Sequence, residues 1–254
     1  MLKPKVIKIG GAVVADPGAL RTLARGIRAW GGPAVVVHGG GPAISRRQRE
    51  LGFRVETVRG RRRTSPALMT VVRDVLCGPV RALVLAALAD EGLPSMGIAG
   101  CDGYVEATPV DGGALGRVGV VSRVHAGRLR ALVDAGWIPV MAPVSRAPDE
   151  GLLNVNADEV AAAVAGALDA SELLLVSDVP GVLVDERPVS AVDAPDIVAL
   201  VASGVAAGGM ARKLCSILEA DAPKVAVRVG DVGMLSDPAA GTRVGRLRPV
   251  AVGV

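Results

Sequence analysis

The chain reads as an α/β protein, a three-layer sandwich in which a mainly parallel open sheet carries helices on both faces. Three observations predict this. Short apolar, β-branched runs at residues 5–9, 34–37, 139–142 and 173–177 alternate with helical stretches at 19–30, 42–51 and 157–168, the rhythm of βα units whose strands are buried on both sides. Half of the 254 residues are apolar, which supports a substantial core. Two strands run into glycine turns, Gly10-Gly11 and Gly39-Gly40-Gly41, and open α/β sheets hold ligands beyond the carboxyl ends of such strands.

Taken in order, the first strand ends in Lys8-Ile9-Gly10-Gly11, and Lys8 can extend its ammonium toward that ligand edge. The second ends in His38-Gly39-Gly40-Gly41-Pro42. Pro42 suits the first turn of a helix, and glycines before it let backbone N–H groups approach an anion, with phosphate the leading candidate. Both turns should face one crevice. The basic run Arg59-Gly60-Arg61-Arg62-Arg63 follows a hairpin-like stretch at 53–58 that can fold over the crevice, where an arginine would recognise a carboxylate bidentately.

Residues 66–91 place Leu68, Val71, Val72, Val75, Leu76, Val80, Leu83 and Val84 at helical spacing. A helix with one broad buried face is expected, packed on the core or on a second subunit. Residues 100–124 are turn-rich and alternating, which predicts β-hairpins. The Pro/Gly-bracketed stretch at 143–151 divides a single domain into an N-lobe, about 1–145, and a C-lobe, about 146–254, with no long polar linker between them.

In the second half, Asn154-Val155-Asn156-Ala157-Asp158-Glu159 leads into helix 157–168. Asn156 is placed to cap it and Asp158 falls in its first turn. Two asparagines and an aspartate exceed what a cap requires, and a carboxylate there could orient nearby lysines and keep them protonated. Ser177-Asp178-Val179-Pro180-Gly181 follows the next buried strand at the same ligand edge. Gly208-Gly209-Met210-Ala211-Arg212-Lys213 opens a further helix, where a lysine opposes the helix dipole unless an anion sits there.

Charge and composition narrow the function. The net charge is +4, and of 29 basic residues only Lys3, Lys5, Lys8, Lys213 and Lys224 are lysines, so a retained lysine hints at a need for a compact ammonium. Trp30, Phe53, Tyr104 and Trp137 are scattered and form no stacking platform, which argues against nucleic acid. No apolar stretch of about 18 residues occurs, and residues 1–5 run straight into a strand; a cytoplasmic protein with no membrane contact is expected. Cys77, Cys101 and Cys215 are far apart and suit packing. His38 and His125 have no clustered metal-ligand set, and P-loop, protein-kinase and Gly-x-Ser-x-Gly motifs are missing.

Taken together, these five motifs resemble the acetylglutamate kinase branch of the amino-acid kinase family over essentially the whole chain. Aspartate and uridylate kinases share the first lysine-glycine turn, but not the triple glycine combined with Asn-Val-Asn-Ala-Asp. The resemblance implies the amino-acid kinase fold and ATP-dependent phosphorylation of the side-chain carboxylate of N-acetyl-L-glutamate, in arginine biosynthesis. By that likeness Lys8 and Lys213 neutralise the transferring phosphoryl group and Asp158 organises them. Gly10, Gly11 and Gly39 border the phosphate; Gly40, Gly41, Arg62, Asn154 and Asn156 hold the acceptor. Asp178, Gly181, Val182, Leu183, Gly208, Gly209 and Met210 match the nucleotide edge. The resemblance also implies ATP as the co-substrate, with Mg2+ travelling with its phosphates.

Two features depart from the branch. Gly60-Arg61-Arg62-Arg63-Thr64 is more basic than the typical Gly-Leu-Arg-Val-Thr, and the chain starts directly at its first strand. Arginine-inhibited relatives form hexameric rings through an extra N-terminal helix, so a homodimer without that feedback site is expected. An alternative acceptor is glutamate or aminoadipate on an acidic carrier protein, which the arginine clusters would steer. A more distant alternative is a non-catalytic nucleotide sensor, which the joint presence of Lys8, Asp158 and Lys213 argues against.

Overall fold

Val6, Ile7 and Ile9 are almost wholly buried because their strand lies inside the sheet, paired on both edges. The computed structural model describes residues 2–58, 60–149, 151–206, 208–219 and 225–245. Arg59 and Lys224, singled out in the sequence, lie outside the described residues, as does the Arg212 side chain.

β1 (Lys5–Ile9) leads through α1 (Gly11–Ala15) and α2 (Pro17–Trp30) to β2 (Ala34–His38) and α3 (Gly41–Glu50). The hairpin β3 (Thr57–Val58) and β4 (Arg61–Arg62) precedes α4 (Pro66–Val75), a π-helical turn at Leu76–Val80, and α5 (Arg81–Asp90). Next come β5 (Ser95–Ala99), β6 (Val105–Pro109), β7 (Val118–Val124), α6 (Ala126–Asp134), β8 (Ile138–Ala142), β9 (Val144–Arg146) and β10 (Leu152–Val155). The C-terminal part holds α7 (Ala157–Ala167), β11 (Glu172–Val176), β12 (Leu183–Val184), β13 (Arg187–Pro188) and β14 (Ala191–Val192). α8 (Ala194–Ala202), α9 (Gly208–Glu219), β15 (Ala226–Gly230) and β16 (Thr242–Val244) follow.

Eight strands form the main sheet in the order β14-β16-β15-β11-β1-β2-β8-β5. Every pairing is parallel except β15 with β16. Side chains alternate between two cores, as strand geometry requires. Ile7, Ile9 and Val36 join α1 to α5 on one face, whereas Val6, Val35 and Val37 join α6 to α9 on the other. The predicted sandwich is therefore the observed one.

Local chemistry explains the helix ends. The Asp16 carboxylate accepts from Gly18 N at 2.7 Å and Ala19 N at 3.3 Å, and Gly31 closes α2 with φ 68°. The predicted helix over 66–91 is corrected: it divides into α4 and α5 around the π-helical turn. Gly78 leaves helical geometry at φ −105°, ψ −111°, and Pro79 has no N–H to continue the ladder. The break shifts the phase of the second half, so Val84 and Leu88 stay buried while Leu83 is 50% exposed.

β6 and β7 form the hairpin expected between 100 and 124, and with β9 and β10 they close into a small barrel. The stretch at 143–151 spans β9 and the turn into β10, closed by Ala147 N donating to Gly151 O at 2.9 Å.

Candidate active site

Register places the motifs on one edge. Ile9 of β1 aligns with His38 of β2 and Val176 of β11, so Gly10-Gly11, Gly39-Gly40-Gly41 and Ser177-Asp178 all emerge at the carboxyl ends of adjacent strands. The two glycine turns touch. Gly39 N donates to Ile9 O at 2.8 Å, and a Cβ on Gly11 would stand 2.6 Å from Pro42 Cδ and 3.1 Å from Gly41 N. Only glycine allows that approach.

A cavity of about 310 Å³ opens at this junction, lined by Lys8, Gly11, Gly40, Arg62, Asn154 and Asn156 among others. Lys8 is held in β1 with its Nζ 2.7 Å from Asp158 Oδ1, and both side chains are nearly buried. The contact is an ion pair; Oδ1 receives no well-aligned hydrogen bond among the described residues. Asn156 caps α7 by accepting from Asp158 N at 3.1 Å, which fixes the turn that carries Asp158. Lys213 belongs to the same charge cluster. Burial lowers its pKa from the ordinary lysine value and the Lys8 ammonium adds to the effect, while Asp158 and Asp178 oppose it.

At the other end of the cavity, Arg62 reaches the start of α3. It donates to Gln48 Oε1, to Ser45 Oγ at 2.7 Å and to Gly41 O at 3.2 Å. Burial depresses its pKa. Asn154 Nδ2 donates to Thr64 Oγ1 at 3.2 Å, and Thr64 Oγ1 donates to Arg62 O at 2.7 Å. Arg61 turns instead to Glu159, and Arg63 to Glu56 at an exposed position.

This arrangement can do one kind of chemistry well. Two ammonium groups, a helix N-terminus and glycine backbone bring positive charge together beside the cavity, a setting suited to an anion, and the Arg62 guanidinium lines the cavity as well. A model of the amino acid kinase family matches residues 3–229. The chain belongs to that family. An acetylglutamate kinase of Chloroflexus aurantiacus is 43% identical over 219 residues, covering 85% of this chain and 86% of the relative. One from Rubrobacter xylanophilus is 41% identical over 250 residues, 97% of each chain. Among solved structures, smu.665 of Streptococcus mutans superimposes with a TM-score of 0.84 at 27% identity over 96% of this chain and 98% of its own. A Giardia carbamate kinase at 15% identity shares the fold, with a TM-score of 0.71 and 97% and 99% coverage.

Within this family chain the predicted nucleotide residues follow β11 or open α9. Asp178 is exposed after β11, and Leu183 is half-buried where β12 begins. Gly181 packs against Thr242, and Val182 turns inward: its side chain is fully buried and its N–H donates to Thr242 Oγ1 at 2.8 Å. Gly208 and Gly209 open α9, and Met210 packs against the core beside α7.

Sequence reasoning missed Gln48, Thr64 and the Arg61–Glu159 pair. Gln48 is fully buried, anchors Arg62 and donates to Arg54 O at 3.0 Å. Its signal was available, because a polar residue four positions after Ile44 lies on the buried stripe of α3.

Proposed function

We propose that this kinase transfers the γ-phosphoryl group of ATP to the side-chain carboxylate of N-acetyl-L-glutamate, giving an acyl phosphate. The observation that carries the proposal is the cavity with Lys8 and Asp158 at one end and the anchored Arg62 at the other. Relatives 38–43% identical over most of this chain are acetylglutamate kinases, which favours the free acceptor over a carrier-linked one.

An ionised carboxylate is already a nucleophile, so the site needs positioning and charge rather than a general base. Lys8 and Lys213 would neutralise the phosphoryl oxygens as charge shifts during transfer, with Asp158 orienting Lys8. Gly11, Gly40 and Gly41 would bring backbone N–H groups to the phosphoryl and acyl oxygens, while Gly10 and Gly39, whose own N–H groups bond Val176 O at 3.1 Å and Ile9 O at 2.8 Å, would border the phosphate by shaping the two turns. Arg62 would take the acceptor's α-carboxylate with donors beyond those given to Gln48, Ser45 and Gly41, and Asn154 and Asn156 would bound its amide. Asp178, Gly181, Leu183 and the start of α9 would border the nucleotide, with Val182 as their buried support.

Mg2+ fits as a partner of ATP. The carboxylate nearest the transfer point, Asp158, is engaged by Lys8, so phosphate oxygens would hold the ion and the metal would supply further charge neutralisation. We also assign acceptor binding to the N-lobe and nucleotide binding to the C-lobe, and place the enzyme in the cytoplasm as a homodimer. No helix among the described residues is long and apolar enough to cross a membrane.

The test is a phosphorylation assay with free N-acetylglutamate beside glutamate linked to an acidic carrier protein. Turnover of the free compound is expected. Its absence, with turnover of the carrier-linked substrate, would replace the first reading by the second.

A further inference from the structure

Arg61 and Arg62 are consecutive in β4, and successive side chains of a strand leave on opposite sides. Arg62 reaches α3. Arg61 reaches α7 instead: its Nη2 lies 2.6 Å from Glu159 Oε1 and its Nη1 3.2 Å from Oε2, with a longer bond of 3.4 Å to Gly119 O. The side chains are only 17% and 13% exposed, so this two-pronged pair is shielded from solvent in a way that surface pairs are not.

The hairpin gains from such a grip. Among the described residues β3 and β4 pair only with each other, through two residues each, Thr57 and Val58 are exposed, and the next backbone anchor is at Thr64, which bridges to Gly116. A two-stranded hairpin of this size has little stability of its own. Its place over the cavity is therefore set by what holds it. Glu159 directly follows Asp158, the residue that holds Lys8. The Arg61–Glu159 pair thus ties the strand bearing Arg62 to the helical turn bearing Asp158, across 98 positions of sequence.

We propose that Arg61 and Glu159 are positioning residues, a charge clamp that fixes the acceptor's carboxylate-binding arginine relative to the phosphoryl-transfer centre. The kinetic part of this proposal rests on the phosphorylation reading above. Misplacing a reacting group by an ångström can cost about a hundredfold in rate, so a clamp of this kind would act on acceptor use and spare the nucleotide.

The experiment compares wild type with Arg61→Met, Glu159→Gln and the swapped double variant Arg61→Glu/Glu159→Arg, all as the full chain. Hydrogen exchange of the amides at 57–62 and KM for each substrate are measured. Each single variant is expected to speed exchange in the hairpin and to raise the acceptor KM by about tenfold or more, with the ATP KM within about twofold. The swap should bring both quantities back most of the way. Should Arg61→Met fail to fold, Glu159→Gln, which keeps the side-chain volume, carries the comparison. Unchanged exchange in the single variants, equal rises in both KM values, or a swap no better than the singles overturns the clamp. A wild-type enzyme inactive on N-acetylglutamate overturns the functional reading alone, because exchange still reads the clamp.

Discussion

Lys8 Nζ stands 2.7 Å from Asp158 Oδ1, with the side chains 6% and 5% exposed. The pair joins the central strand to the first turn of α7 at the point where phosphoryl charge would gather. Removing one member strands the other as a buried charge, at a cost of about 3–5 kcal/mol. Asp158→Asn should therefore lower stability in urea denaturation by that order and cut turnover as well. A Lys8→Met/Asp158→Leu double variant should regain stability without regaining turnover. Wild-type stability in the Asp158→Asn single variant would show that the pair contributes nothing to the fold.

Lys213 combines a catalytic assignment with a titratable environment. Burial first, then the Lys8 ammonium, lowers its pKa, against the pull of Asp158 and Asp178. The protonated form is the one that neutralises phosphate, so activity is lost as pH rises through that lowered value. The alkaline limb of kcat/KM should fall below the ordinary lysine range, and Lys213→Arg, which stays charged, should lack it. Lys213→Ala should lose roughly a hundredfold or more in kcat, the usual effect of deleting a preorganised donor. An alkaline limb identical in Lys213→Arg would assign it to another group.

Arg62 is held by Gln48, Ser45 and Gly41, and its fork is what the acceptor's α-carboxylate would meet. A lysine offers a point charge with no planar pair of donors. Arg62→Lys should raise the acceptor KM by about tenfold or more while leaving the ATP KM unchanged. Steady-state kinetics with each substrate varied in turn would show it, and equal changes in both KM values would move Arg62 out of the acceptor site.

Much of this site was legible because its signals are local. Glycines that must touch, as Gly11 meets Pro42 and Gly41, announce themselves in sequence, and so do a cap such as Asn156 and a lysine at a strand end. The parallel sheet was legible through its buried β-branched runs. Other features depended on tertiary partners. Nothing near Arg61 reveals that Glu159 lies beside it, because closing that pair takes the whole βα framework between them. The antiparallel β16 has few residues and little pattern, and Gly78-Pro79 was outweighed by the apolar spacing around it, although proline was the decisive residue.

Crowding between the glycine turns gives a direct test of why Gly11 is glycine. A methyl there would press on the Pro42 ring and on backbone atoms of Gly40 and Gly41, none of which can yield by a simple side-chain rotation. Gly11→Ala should push the two turns apart, lowering kcat by about tenfold to a hundredfold and costing about 1–3 kcal/mol of stability. Near-normal kcat in a folded Gly11→Ala enzyme would mean that the turns do not need their close approach for transfer.

His38 shows how the same turn responds to acid. It is fully buried at the end of β2, its Nδ1–H donating to Gly39 O at 3.2 Å, and its Nε2 has no hydrogen-bond partner among the described residues. Burial pushes its pKa down from 6.5 to about 4; the Gly39 carbonyl opposes the shift and the Arg81 charge adds to it. As pH falls below 6.5 the unfolded chain takes up a proton that the folded chain refuses until about 4. Native stability therefore declines across that window as pH drops, by roughly 3 kcal/mol in all, and this contribution levels off below it. His38→Gln removes the titration, so its melting temperature should fall less steeply than that of wild type between those two pH values. Parallel slopes for the two proteins would trace the acid sensitivity to other groups.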